Sequence, residues 1–107
     1  MARLTQIRQF VQDGKYRVKA HALRHMMEDG FEESHVVEAV GSGEILEDYE
    51  DEGRCLILGT FHWTLKTTCS LHIIRDYSQS DRVEFVTAYI PQRPAWANAR
   101  RRGRKKR

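Results

Sequence analysis

The sequence has little of what marks secreted scaffolds, membrane proteins or zinc proteins. Its 107 residues include two cysteines, two prolines and seven glycines, which excludes a disulfide scaffold and a collagen-like repeat. Cys55 and Cys69 do not form a C-x-x-C pair, the spacing of zinc fingers and thioredoxins, and both are predicted to be core residues. No apolar stretch approaches the ~18 residues of a membrane span, and the N-terminus has no apolar signal core. We therefore expect a cytoplasmic protein that does not enter a membrane.

Positive charge is abundant only near the C-terminus. The formal net charge is +3, but residues 100–107 (RRRGRKKR) contain seven of the 18 basic residues and no acid. The remaining chain has 11 basic against 15 acidic residues, and six of these acids lie in 44–52. We predict one domain over 1–97 and a disordered basic tail over 98–107, because the tail lacks apolar residues that would offset its ordering entropy.

Two roles for the tail remain open at this point. A charged end commonly keeps a protein soluble, but seven clustered cations also suit the phosphates of RNA. The phosphate-binding candidates in the tail are Arg100, Arg101, Arg102, Arg104, Lys105, Lys106 and Arg107.

Helices are predicted first along the chain. Apolar residues recur at spacings of three and four over 3–13, as in an amphipathic helix. A second helix is expected over 20–29 and ends at Gly30, since glycine accepts the left-handed conformation found there. A third follows within 31–43. The core face of the second helix is expected to consist of Leu23, Met26 and Met27.

Strands are predicted from residue 44 onward, where the period changes to two. They are expected near 44–49 and over 54–60, 70–77 and 82–90, while 15–19 is taken as a short extended link. Helices followed by strands indicate an α+β fold, with N-terminal helices packed on one face of a twisted antiparallel sheet of about four strands. Alternation is expected to place Thr87 and Tyr89 on the same face of the last strand as Val83 and Phe85.

Four short motifs occur in a fixed order: H-A-L-R-H-M-M-E-D-G-F at 21–31, G-E-I at 43–45, L-H-I-I at 71–74 and T-A-Y-I-P at 87–91. Together they resemble the bacterial domain of unknown function 4258, over about residues 16–91. The resemblance implies a RelE-like (barnase/colicin/RelE-type) fold and a toxin of a toxin–antitoxin pair, with an antitoxin as protein partner. Two arginines typical of this family are replaced here by His25 and Asp29.

If the chain is such a toxin, it is expected to be a metal-independent endoribonuclease without cofactors. A base removes the ribose 2′-hydroxyl proton, that oxygen attacks phosphorus, and an acid protonates the leaving oxygen. The catalytic candidates are His21 as base or acid, His72 as its complement, Arg75 as phosphate clamp and Tyr89. These groups have to converge on one open cleft. The RNA-binding candidates outside the tail are Lys19, His25, Arg54 and Thr87.

Structural roles compete with each of these assignments. His21 and His25 share a helix face, which fits a solvated surface and, less well, a zinc pair. His72 has apolar neighbours, so a buried imidazole bonded to the backbone is the commoner outcome. Arg54 among apolar residues suits a salt bridge to a carboxylate, such as those in 44–52.

Three functions follow from these residues. The first is a RelE-like endoribonuclease acting on RNA, on or off the ribosome, and silenced by an antitoxin. The second is a non-catalytic RNA-binding module with a dead site. The third is a protein-interaction domain whose acidic segment 44–52 binds a basic partner. A homodimer is compatible with all three.

Overall fold

The computed structural model describes residues 4–78, 82–91 and 98–100. Its helices are α1 (Leu4–Gln12), α2 (Ala20–Asp29) and α3 (Glu33–Ser42). Gly30 ends α2 in the left-handed conformation, with φ of 79°, as predicted. At the start of α3 the side chains of Glu32 and His35 each accept a hydrogen bond from the other's backbone N–H, which satisfies two amide groups that have no partner within the helix.

Five strands form one mixed sheet. They are β1 (Tyr16–Val18), β2 (Glu44–Tyr49), β3 (Arg54–His62), β4 (Thr68–Asp76) and β5 (Val83–Tyr89), and the spatial order is β1-β5-β4-β3-β2. All neighbours are antiparallel except β1 and β5, which are parallel. The prediction of about four antiparallel strands was therefore wrong in detail. Residues 16–18, which were predicted to be part of a link, form strand β1. This strand pairs in parallel with β5, and the elements between the two strands supply the long connection that a parallel pairing needs.

One face of the sheet packs on the helices, as expected for the α+β class. Because side chains alternate along a strand, β3 directs Cys55, Ile57 and Phe61 to this helix face, where they join the core with residues from all three helices. Helix α3 lies unusually close to β3. A Cβ added at Gly59 would lie 1.9 Å from the carbonyl oxygen of Ala39. We call the opposite side of the sheet the outer face.

The buried side of α2 agrees with the prediction at Met26 and differs from it at Leu23 and Met27. Ala22 and Met26 are buried, whereas Leu23 is 44% exposed and Met27 is 84% exposed. The helix contacts mainly β5, and this packing selects the stripe one position back along the sequence. The apolar pattern alone did not distinguish the two stripes.

An irregularity between β4 and β5 changes which side chains share a face. The register shifts between Ile74 and Arg75, so that Arg75 lies opposite Phe85, whereas Ile74 lies opposite Thr87 and His72 lies opposite Tyr89. Phe85 belongs to the core on the helix face. The expectation that Thr87 and Tyr89 share a face with Phe85 was therefore wrong, since an extra residue in one strand reverses the alternation beyond it.

Part of the predicted tail lies on the sheet. Asn98–Arg100 contacts the outer face through the carbonyl oxygen of Ala99 and the side chain of Arg100. The other tail candidates, Arg101, Arg102, Arg104, Lys105, Lys106 and Arg107, lie outside the described residues. Among the described residues, no helix is both long and apolar enough to cross a membrane.

Candidate nucleic-acid interface

A histidine–tyrosine pair occupies the middle of the outer face. His72 on β4 and Tyr89 on β5 are directly opposite each other, and the Tyr89 hydroxyl lies 3.2 Å from Nδ1 of His72. Their rings meet edge to face at 5.2 Å. The register shift described above is what brings them together. Two groups able to exchange a proton are thus held in contact on the side of the sheet without helices.

The second nitrogen of His72 is held by the segment that crosses this face. Nε2 lies 2.6 Å from the carbonyl oxygen of Ala99, and His72 is fully buried. A carbonyl can only accept, so Nε2 carries a proton, and in the neutral ring Nδ1 then accepts from the Tyr89 hydroxyl. This confirms the expectation that His72 is a buried imidazole bonded to the backbone.

Charged side chains form a row across the outer face at the C-terminal end of β4. Arg54 pairs with Asp76 in the sheet, Asp76 with Glu84, and Glu84 with Arg17. The Nε atom of Arg54 lies 3.5 Å from a carboxylate oxygen of Asp76. Arg54 therefore has the structural salt bridge that was expected, although its partner is Asp76 and not an acid of 44–52.

The carboxylate of Asp76 is stabilised in its charged form. Burial by itself would raise its pKa, but hydrogen bonds from the backbone and hydroxyl of Ser78, at 2.8 and 2.5 Å, together with the charge of Arg54, lower the pKa below its usual value. The ion pair with Arg54 is consequently present at neutral pH.

Glu84, the second carboxylate in the row, lies near two more basic side chains. The side chain of Glu84 is largely buried, and one of its oxygens lies 4.0 Å from Nζ of Lys19 and 3.5 Å from Nε of Arg82. Lys19 thus lies on the same face as Arg54, as its assignment to RNA binding requires. Arg17 and Arg82 were not identified from the sequence, although the alternation of Lys15, Arg17 and Lys19 was a signal for a cationic strand.

Two histidines proposed for the site lie elsewhere, on α2. The rings of His21 and His25 are 4.8 Å apart, and His25 lies 4.0 Å from Glu28 of the same helix. His21 is exposed. Since α2 packs on the helix face, neither imidazole approaches His72. Among the described residues, no cluster of three or more His, Cys, Asp or Glu side chains is arranged to hold a metal ion.

Arg75 lies on the helix face and is almost completely buried, with 1% exposure. Its Nε and Nη1 atoms have no hydrogen-bond partner within the part of the chain that the structure describes, and its guanidinium carbon lies 5.2 Å from the centre of the Tyr77 ring. Burial lowers the pKa of Arg75, against the influence of Cys55 and Tyr77. The expectation that His21, His72 and Arg75 converge on one cleft was wrong. His72 and Arg75 are three residues apart on one strand, so they project to opposite faces.

The remaining candidates lie near the histidine–tyrosine pair. Thr87 is half-buried and lies opposite Ile74 on the outer face. Arg100 forms an ion pair with Glu44 at the start of β2, so a tail residue pairs with the acidic segment 44–52 of its own chain. Glu44 and Arg100 are among the residues that line a pocket of about 310 Å³, together with Leu58, Ser70 and Ala99.

The fold and this interface define a small α+β domain whose sheet carries helices on one side and a polar histidine–tyrosine pair with arginines on the other. The family model described as Domain of unknown function (DUF4258) matches residues 18–93. The chain belongs to this family. No curated protein and no solved structure shows a significant match to it.

Proposed function

We propose that this protein binds single-stranded RNA on the outer face of its sheet. The observation that carries the proposal is the placement of Tyr89, His72 and Arg54 on one face, while the other face is filled by the hydrophobic core. A tyrosine ring offers a stacking surface for an unpaired base. A guanidinium group matches phosphate geometry. The basic tail adds an attraction that is independent of sequence and sensitive to salt.

The binding test is fluorescence anisotropy with a labelled single-stranded RNA at several salt concentrations. Arg54→Gln should weaken binding about fivefold at 0.1 M salt and reduce the slope of log affinity against log salt by about 0.7, the contribution of one phosphate contact on a single strand. Arg24→Gln is the matched control, because Arg24 is exposed on α2. Failure of the full chain to bind RNA would contradict the proposal.

Metal-independent RNA cleavage is the second candidate, and the contact between Tyr89 and His72 favours it. The pair offers a hydroxyl and an imidazole for the two proton transfers of 2′-hydroxyl attack on phosphorus. In this conformation Ala99 blocks Nε2 of His72, so cleavage requires the segment Asn98–Arg100 to leave the sheet. His21 and Arg75 have no part in this version of the mechanism.

Cleavage is tested by incubating the protein with RNA in EDTA and analysing the product ends. A 2′,3′-cyclic phosphate that disappears in Tyr89→Phe and His72→Gln variants, each with an unchanged fold by circular dichroism, would support the enzyme. Binding without any such product would leave the protein as an RNA-binding module.

A protein partner is the third proposal, carried by the ion pair between Glu44 and Arg100. That contact shows a basic side chain accommodated at the acidic segment 44–52, where an antitoxin with a basic surface would compete with the chain's own tail. Copurification with the product of a neighbouring gene, lost when Asp51 and Glu52 are changed to lysine, would support this role.

A further inference from the structure

At the N-terminal end of β1 the chain forms a pocket whose lining includes three basic residues. The pocket has a volume of about 530 Å³ and is lined by Gly14, Lys15, Tyr16, Arg17 and Arg82. It lies where the turn after α1 meets the start of β5, and the backbone N–H of Val83 donates to the carbonyl oxygen of Lys15 across this junction, at 3.1 Å. The walls of the pocket are therefore held by the sheet itself.

Among the described residues that line this pocket, the charged side chains are all basic. Lys19 and Arg82 both approach the single carboxylate of Glu84, which orients these two cations. Lys15 and Arg17 are exposed, and neither forms an ion pair with a described residue. The nearby acid Asp13 accepts hydrogen bonds from Gln9 at 3.1 and 3.2 Å. The charged side chains among the described residues that line the pocket are Lys15, Arg17 and Arg82, and all three are positive, which suits an anion.

The alternation of β1 sets the direction of this charge. Tyr16 contacts Phe85 of the core, with ring centres 5.8 Å apart, so the neighbouring residues Lys15 and Arg17 project to the other side. Arg17 also lies opposite Glu84 in the sheet register. The basic side chains of the pocket are therefore directed toward the outer face, the face that carries His72 and Tyr89.

We infer that the pocket formed by Lys15, Arg17 and Arg82 binds a phosphate group of the RNA backbone, at a point separate from the histidine–tyrosine pair. Asp76 in the charged row is four residues from His72 along β4, roughly 13 Å, and β1 is two strands away from β4, about 10 Å. A single strand crossing the outer face can contact both places. This inference rests on the proposed RNA binding.

The experiment compares two doubly substituted full-length proteins by anisotropy with labelled single-stranded RNA across a salt series. Lys15→Gln with Arg17→Gln removes two cations of the pocket. Arg24→Gln with Lys66→Gln removes two exposed cations on α2 and on the β3–β4 turn, so net charge is equal in both. The pocket variant should bind about 25-fold more weakly at 0.1 M salt, with a salt slope smaller by about 1.4 than that of wild type. The control should retain the wild-type slope.

The outcomes separate this inference from the broader proposal. Equal behaviour of the two variants, in a protein that binds RNA, overturns the pocket and leaves RNA binding standing. Absence of RNA binding by the wild-type protein overturns both. Binding of a small phosphate that is not part of RNA is tested by adding tripolyphosphate and recording nuclear magnetic resonance spectra. The amide resonances of residues 14–17 should shift in the wild-type protein. Such a shift, with RNA binding unchanged in the pocket variant, would assign the site to a small phosphate and overturn the RNA assignment.

Discussion

The two faces of the sheet bury polar groups in different ways. On the helix face, Arg75 lies within the core, and two of its nitrogens have no hydrogen-bond partner among the described residues, although the Tyr77 ring and the Cys55 thiol are close to the guanidinium group. On the outer face, His72 is equally buried, but both of its ring nitrogens have partners. Burial alone therefore does not identify a functional residue. The partners of a buried group and the face to which it projects have to be known as well.

The largest expected effect concerns the closeness of α3 to the helix face. Gly59→Ala should destabilise the protein by about 3 kcal/mol, because the new methyl group would overlap the backbone of Ala39 and force the helix away from the sheet. Thermal and urea unfolding measure the change. Gly41→Ala is the control, since a Cβ there meets nothing within 4 Å and alanine favours a helix. Equal stability of the two variants would show that α3 can lie farther from β3 without a loss of stability.

Replacing the buried arginine tests whether the helix face contains a functional cation. Arg75→Met should leave the free energy of unfolding unchanged or increase it by about 1 kcal/mol or more, because an apolar side chain replaces a buried charge that is costly to remove from water. RNA binding should be unaffected. A loss of RNA affinity in a protein of normal stability would reinstate Arg75 as a phosphate ligand and remove the contrast between the faces.

The next comparison is between two tyrosine hydroxyl groups, whose removal should affect stability less than Gly59→Ala does. Tyr89→Phe should cost about 1–2 kcal/mol, because it leaves Nδ1 of the buried His72 without this donor. Tyr77→Phe removes a hydrogen bond of 2.9 Å to the exposed Asp48, where water can substitute, and should cost about 0.5 kcal/mol. Chemical denaturation of both variants decides between them. A larger loss of stability from Tyr77→Phe than from Tyr89→Phe would contradict the view that the histidine–tyrosine pair is less accessible to water than the Tyr77–Asp48 hydrogen bond.

A comparably small effect is expected from the acid sensitivity of the charged row. The pKa of Asp76 is lowered in the folded state, so its contribution to stability is present above the unfolded value of about 3.9 and is lost as the pH falls through the folded value. Asp76→Asn should therefore lose up to about 1 kcal/mol at pH 7 and show a shallower decline of stability below about pH 4. A decline as steep as that of wild type would mean that Asp76 is not the group responsible.

Much of the fold could be predicted from local patterns. The α2 boundary at Gly30 and the strands from residue 44 onward follow from glycine chemistry and from periodicity, both properties of a few neighbouring residues. Strand β1 was missed because three residues carry almost no periodic signal and acquire their partner, β5, from far along the chain. The stripe of α2 was misassigned because Leu23 and Met27 are as apolar as the residues that are buried.

The candidate site could be predicted only in part. His72, Tyr89, Thr87, Lys19 and Arg54 were identified from the sequence and share the outer face, whereas His21 and Arg75 do not join them. Arg17 and Arg82 were missed because each is an ordinary surface cation until the parallel pairing of β1 with β5 brings them to one pocket.

The sequence by itself determined the α+β class and the separation of a basic C-terminal end from an acidic body, because composition and local period specify these features. The tertiary structure decided which groups share a face. One irregular position between β4 and β5 reverses the alternation of side chains, and one parallel pairing adds β1 to the sheet as the edge strand next to β5. Both depend on contacts between distant residues, which a local pattern does not contain.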